Sequence, residues 1–268
     1  MSGEFLILFC SAFLPVFCLM AITFAFSQKI RNAGIVDVVW SAGFAPVALY
    51  FALASSGNPL RRAMVATMVA LWSLRLGSYL FVRVKGHHPQ EDRRYSQLRL
   101  EWGAQADRKM FWFFQLQGGL LMVLSIPFLL ASLNARSSIS WIEWFGLLVW
   151  GGGLIGESAA DDQLKKFKAD PANREKVCQA GLWQYSRHPN YFFEWVIWVA
   201  FFFFASGSHW GWITIYCPAL MLFFLLRVTG IPMTEELAVK TKGDAYRDYQ
   251  RATSSFVPWF KRTTARGH

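Results

Sequence analysis

Charge is what this chain has least of. Only 16% of its 268 residues are Asp, Glu, Lys or Arg, against roughly 25% in an average soluble domain, and the acidic ones are the scarcer, 17 against 27 basic. A deficit of that size excludes an ordinary soluble surface. Cysteine is scarce as well. Cys10, Cys18, Cys178 and Cys217 have no short metal-ligand spacing and three of them lie in apolar runs, so neither a disulfide framework nor a zinc site is supported and no metal is expected. What is abundant is apolar: 54% hydrophobic residues, with 25 Phe and 13 Trp. A globule of this size cannot hide so many rings, whereas lipid-facing helices and interfacial belts are built from them. The net charge of +10 would point a soluble protein toward nucleic acid or an anionic surface. A polytopic, all-α membrane protein accommodates both the hydrophobicity and the charge.

Apolar stretches of about spanning length occur near 5–26, 38–54, 63–84, 111–133, 141–160, 191–206 and 210–232. The first carries no charge and follows Glu4 rather than a basic region, which reads as a retained helix and not a cleaved signal. Seven spans make one transmembrane domain over 1–268 and alternate the loops between two sides. Twenty-two Lys and Arg then fall on one side and only Arg61, Arg62 and Arg136 on the other, with Arg75 and Arg227 inside spans. The tendency of basic loops to stay inside predicts an outer N-terminus and a cytoplasmic C-terminus. A multi-pass protein of the inner membrane is the expectation for a bacterial source, with membrane lipid as a partner, no nucleic acid, and a monomer as the working unit.

Ionisable residues within spans are costly and are read as functional by default; here they are Asp37, Arg75, Glu157, Glu194 and Arg227. In the third span Trp72, Arg75, Tyr79 and Arg83 recur at helical spacing, which puts an aromatic, two cations and a phenol on one face. That face suits an anionic ligand; alternatively Arg75 neutralises Asp37 or Glu157 while Arg83 snorkels to the interface. Glu157, Asp161, Lys165 and Lys168 share a face at the end of the fifth span, as a self-paired solvated helix end also would. Glu194 has no nearby cation in sequence and needs a partner from another helix or a ligand.

Residues 151–156, Gly-Gly-Gly-Leu-Ile-Gly, satisfy a G-x-G-x-x-G pattern in form only. That fingerprint works where a strand turns into a helix, and this one lies within an apolar helix, where Gly152 and Gly156 suit close helix packing. The segment 181–194, Gly-Leu-Trp-Gln-Tyr-Ser-Arg-His-Pro-Asn-Tyr-Phe-Phe-Glu, is more informative. Pro189 suits the first turn of a helix whose free amides, beside Arg187 and His188, form a natural phosphate site; the same two residues also suit lipid headgroups.

The run Gly-Leu-x-x-Tyr-Ser-Arg-His-Pro-Asn-Tyr-x-x-Glu resembles the late signature of the steroid 5-alpha-reductase family, particularly its bacterial members. Asn32 to Trp40, Glu91-Asp-Arg-Arg-Tyr95 to Trp102, and a tail with Glu235, Glu236, Tyr246, Tyr249 and Pro258 agree with it. The resemblance implies a seven-helix membrane reductase that uses NADPH to saturate an enone lipid, with 3-oxo-Δ4 steroids the best-known substrates. Hydride passes from the nicotinamide to the β-carbon while a hydrogen-bond donor stabilises the enolate. By matching position it places Arg75, Tyr79, Asp161, Asn190, Glu194 and Arg227 around NADPH, with Lys168, Arg187 and His188 toward its phosphates; Arg83 and Tyr191 complete the expected cofactor-binding set. This chain departs in two places. Phe193 stands where relatives often have Gly, and the Gln-Glu pair of the animal enzymes is missing from the second helix. Asp37, protonated by its membrane setting, is the expected donor to the substrate carbonyl and Tyr79 the second candidate, with Trp40 and Trp72 as substrate-binding residues.

The isoprenylcysteine-type membrane methyltransferases, which bind an adenosyl cofactor, share Arg-His-Pro-x-Tyr, a later Arg, Glu-Glu and paired tyrosines. Seven spans, the Ile35–Trp40 segment, the Arg75/Tyr79 face and Glu194 after Asn190 favour the reductase. A lipid-binding or transport role is the third reading, against which stand the absence of an internal repeat and polar residues gathered toward one end.

Overall fold

An apolar run can satisfy its backbone away from water only by closing hydrogen bonds within itself, and each of the seven expected stretches is mainly helical over its described residues. The computed structural model describes residues 3–87, 89–228 and 230–261; Arg262 and Arg266 of the basic tail lie outside the described residues. Among these, helices account for nearly all regular structure, and β-pairing is limited to an isolated bridge between Ser186 and Ser254. The chain divides into two compact units, Met1–Ser140 with Ala205–Trp212, and Trp141–Phe204 with Ile213–His268. Among the described residues five helical stretches are long and apolar enough to cross a membrane: Gly3–Ile30, Ile35–Ala54, Pro59–Gly86, Arg93–Ser132 and Gly211–Ala252.

The first unit contains α1 (Gly3–Ile30), α2 (Ile35–Ala54), α3 (Pro59–His87), α4 (Arg93–Trp102), α5 (Ala106–Leu124) and α6 (Ile126–Ser132). The stretch at 111–133 is thus two helices. Pro127 lacks an amide hydrogen, and the Ser125 hydroxyl turns back to the Leu121 carbonyl at 2.8 Å. A related device joins α2 to α3 near Pro46. The Ser73 hydroxyl donates to the Ser41 carbonyl at 2.6 Å and accepts from Ala45 N at 3.2 Å, standing between the two groups of an ordinary helical bond. Small residues bring the helices close. A side chain at Gly77 would meet Ala42, one at Gly43 would meet Leu121, and one at Gly118 would meet Met20 and Val16. Phe44, Trp72 and Phe128, all fully buried, form the aromatic centre, with Trp40 edge-on to Phe44.

The second unit contains α7 (Trp141–Ala169), α8 (Pro189–Ser206, up to Phe204), α9 (Tyr216–Phe223) and α10 (Ile231–Ala252). The helix α7 continues past its apolar part as a charged extension, where Asp162 and Lys166 pair one turn apart. Its glycine face packs on α8, through one of the two positions expected and two others. Gly146 meets the backbone at Ala200 and Phe204, Gly153 meets Ile197, and Gly156 meets Phe193, while Gly152 faces open space. Gly152 therefore plays no part in the close packing assigned to it; Gly156 does. A π-helical turn, Phe224–Val228, follows α9, and α10 is polar and bent at Gly243, whose φ of +53° and ψ of −129° suit glycine.

Candidate active site

In the first unit Asp37 opens the site. It lies in the first turn of α2, where the free amides of a helix start favour a carboxylate. Its Oδ2 accepts from Arg94 Nη2 at 2.6 Å and its Oδ1 from the Tyr95 hydroxyl at 2.6 Å. Both oxygens thus accept hydrogen bonds. Arg94 is also held by Asp92, through Nε at 3.1 Å, and Asp92 caps α4 by accepting from Arg94 N. Burial pushes the Asp92 carboxyl up, but the bonds and charge of Arg94, with Arg83, outweigh it and hold Asp92 below the usual carboxylate range. Arg83 reaches Asp92 at 3.2 Å from an exposed position. Glu91 completes the cluster by accepting from Ala33 N at 2.7 Å and pairing with Arg99 at 3.2 Å.

The expected face of α3 grades from buried Trp72 through half-buried Arg75 and Tyr79 to exposed Arg83. Trp72 is fully buried against Phe44. Trp40 is partly exposed, and its buried indole nitrogen has no hydrogen-bond partner among the described residues.

In the second unit the segment 181–191 is knitted to the tail. Arg187 N donates to the Ser254 carbonyl, the Ser186 hydroxyl to the Phe256 carbonyl, and Trp259 N to the Tyr185 carbonyl. The Arg187 side chain, 10% exposed, donates from Nε to Glu235 at 2.6 Å and from Nη1 to the carbonyls of Gln250 and Thr253. His188, still more buried, shares the same Glu235 oxygen at 3.2 Å and stacks on the Tyr191 ring. Gln250 holds the other Glu235 oxygen at 2.9 Å. The Tyr249 hydroxyl bonds to the carbonyls of Trp183 and Ser186. Burial drives the Glu235 carboxyl up, yet the bonds from His188, Arg187 and Gln250 prevail and bring it down to about 2. Burial lowers the His188 imidazole against the pull of Glu235.

Two other expected residues meet nearby. Asn190 Nδ2 donates to Asp161 Oδ1 at 3.2 Å, joining α7 to the first turn of α8. Glu194, one turn further, accepts from the Trp198 indole at 3.0 Å. Lys168 and Arg227 are exposed, the latter on the π-helical turn. Sequence reasoning missed Arg94 and Tyr95 as the partners of Asp37 and Gln250 as a partner of Glu235. The signal for the first pair is present, since Glu91–Tyr95 is part of the resemblance, but its contact with Asp37 spans 57 residues.

An all-helical chain with several membrane-capable helices, one half-buried polar cluster and one buried one is the class these features define. It belongs to the family described as proteins of unknown function DUF1295, whose model matches residues 23–253. The chain is similar to an uncharacterized protein of Schizosaccharomyces pombe, 27% identical over 266 residues that cover 85% of this chain and 73% of that one. It is also similar to a protein of Ustilaginoidea virens named a probable O-methyltransferase, 29% identical over 133 residues that cover 46% of this chain and 45% of the other. No solved structure matches.

Proposed function

We propose that this protein is a membrane-embedded, NADPH-dependent reductase that saturates the C=C bond of an enone lipid, with 3-oxo-Δ4 steroids as the substrate class to test first. The observation that carries the reading is the Asn190–Asp161 hydrogen bond. These residues, 29 positions apart, both match cofactor positions of the steroid 5-alpha-reductase resemblance, and they meet at the charged end of α7 and the start of α8. In this reading the second unit offers exposed Lys168 and Arg227 to phosphates, with Asn190, Asp161, Tyr191 and Glu194 toward the rest of NADPH. Arg187 and His188, engaged by Glu235, act from behind by holding the Pro189 turn. Arg75 and Arg83 keep the cofactor role that the resemblance implies for them, and Trp40 and Trp72 the substrate role.

The cofactor supplies the hydride. The chain's own part is to hold the substrate carbonyl and donate a hydrogen bond to it. Tyr79, half-buried on the α3 face, is the donor we favour. Asp37, whose oxygens both accept hydrogen bonds, anchors Arg94 and Tyr95 beside it. The reading includes seven spans in a single domain, an outer N-terminus and a cytoplasmic tail. Its support is the charge segregation, with helical structure at every expected stretch. The two stretches absent from the five membrane-capable ones carry polar residues, Glu143 and Glu157 in α7 and Asn190 and Glu194 in α8.

A second reading, an adenosyl-dependent membrane methyltransferase, is favoured by the name of the Ustilaginoidea virens relative and by the assembly of Arg187, Glu235, Tyr246 and Tyr249, residue types that family shares. One experiment separates the two. Detergent-purified chain is incubated with NADPH or NADH and a 3-oxo-Δ4 steroid, following cofactor oxidation and the saturated product, alongside binding of S-adenosylmethionine. Oxidation with product formation supports the reductase; binding of the adenosyl cofactor without NADPH binding overturns it.

A further inference from the structure

The end of the first unit opposite Asp37 carries a second polar recess that the proposed reaction does not use. The start of α1, the α2–α3 loop, the segment after α6 and residues 205–212 converge there. Ser56 donates to the Glu4 carboxylate through both N and Oγ at 2.7 Å. Asn58 N donates to the Asn134 carbonyl at 2.9 Å, and Asn134 Nδ2 to the Gly207 carbonyl at 3.0 Å. Beneath them Arg61 is fully buried. Its guanidinium donates to the carbonyls of Asn134, Arg136 and Ser138 at 3.0, 2.8 and 2.7 Å. One buried cation thereby fixes three carbonyls of a single loop, and Arg136 stands exposed on that loop with Nη1 at 3.3 Å from the Gly207 carbonyl.

A recess of about 410 Å³ lies at this end, with Phe5 and Leu133 as apolar wall and Arg136, Ser208, His209 and Trp210 as polar and aromatic rim. Ser208 supplies an independent sign of a ligand. It is 8% exposed, and its hydroxyl is buried without a hydrogen-bond partner among the described residues, a state proteins rarely leave uncompensated. Electrostatics select the ligand's sign. Arg61, Arg62 and Arg136 outnumber the Glu4 carboxylate among the charges named at this end, and Arg136 is the one of the three arginines that lines the recess, so the rim is cationic. Exposed Trp210 and Trp212 are side chains of the kind that settle at headgroup depth in a bilayer.

We propose that this recess binds the phosphodiester headgroup of an anionic membrane phospholipid. Arg136 and His209 flank the phosphate, the Ser208 hydroxyl donates to one of its oxygens, and the first acyl carbons lie along Phe5 and Leu133. A wall that is apolar next to a cationic rim selects a lipid over a soluble phosphate, which would leave that wall wet.

The test is native mass spectrometry of the full chain, titrated with dihexanoyl-phosphatidylglycerol, dihexanoyl-phosphatidylcholine and inorganic phosphate. One phosphatidylglycerol retained per chain, about tenfold more tightly than phosphatidylcholine, is the expected result. Arg136→Gln lowers that retention about tenfold and Ser208→Ala by a few fold, while Lys109→Gln, remote from the recess, leaves it unchanged. Undiminished retention in Arg136→Gln overturns the proposal, as does inorganic phosphate binding as tightly as the lipid. If Arg136→Gln does not fold, His209→Asn is read by the same criteria.

Discussion

The Phe193 ring lies against Gly156, so closely that a side-chain carbon built on the glycine would sit 2.4 Å from the ring. Phe193 is the position at which this chain departs from the glycine common in the family it resembles. The departure is accommodated across the helix pair, because the missing side chain on α7 is replaced by a ring from α8.

Replacing Gly156 by Ala therefore overpacks the α7–α8 contact and is expected to destabilise the protein by about 1–3 kcal/mol. Combining it with Phe193→Ala recovers part of that loss, since the two changes are coupled by direct contact. Thermal unfolding of the two single variants and the double variant in detergent measures the coupling, and strict additivity contradicts the account.

Removing the Arg187 side chain leaves the Glu235 carboxylate half-buried beside His188 without its main cation. Arg187→Ala is expected to cost about 3–5 kcal/mol, the range for breaking one side of a buried pair. Arg187→Lys rescues little, because a single ammonium cannot reproduce bonds from Nε and Nη1 to three acceptors. Limited proteolysis of the 231–261 segment reads the loosening directly.

Acid acts on the same network in two steps. His188 has its folded value below the usual 6.5, so the unfolded chain binds the proton more readily, and stability present above pH 6.5 declines as pH falls below it. Glu235, ordinarily near 4.5 and held at about 2, adds stability that is full above 4.5 and is lost as pH falls toward 2. Unfolding midpoints across pH 3–8 test this; His188→Phe removes the upper step and shrinks the lower one, which Arg187 and Gln250 still sustain.

For the proposed reaction, Tyr79→Phe should lower kcat about 100-fold with little change in KM, as loss of one positioned donor does. Asp37→Ala should lower turnover and Arg94→Ala should reproduce that fall, because the carboxylate acts through the Arg94 and Tyr95 it holds. Intact turnover of Asp37→Ala at saturating substrate removes Asp37 from the mechanism. Asn190→Ala in a folded chain should weaken NADPH binding, measured by the cofactor's fluorescence.

Much of the fold is legible from local composition. The apolar stretches all appear as helix, because a run of apolar residues reports its own solvent and its own backbone requirement without reference to the rest of the chain. Their ends are less legible. The α5–α6 break follows from Pro127, yet the α7 extension to Ala169 and the π-helical turn around Arg227 depend on what packs there. The polar residues divide in the same way. Asp37, Arg187 and Glu235 stand out in the sequence as charges beside apolar segments, but the pairing of Arg187 with Glu235 does not, nor do Arg94, Tyr95 and Gln250 as partners.

What the sequence determines alone is therefore whatever depends on neighbours in the chain: the helical stretches, the scarcity of charge within them, and the gathering of Lys and Arg in the segments between them. Tertiary structure decided which distant groups share a buried space. It gave Asp37 to Arg94, Arg187 to Glu235, Asp161 to Asn190, Gly156 to Phe193 and three loop carbonyls to Arg61. Each of those choices rests on the low dielectric and close packing of an interior, where a charge or a gap must be matched by whatever side chain the fold brings opposite it.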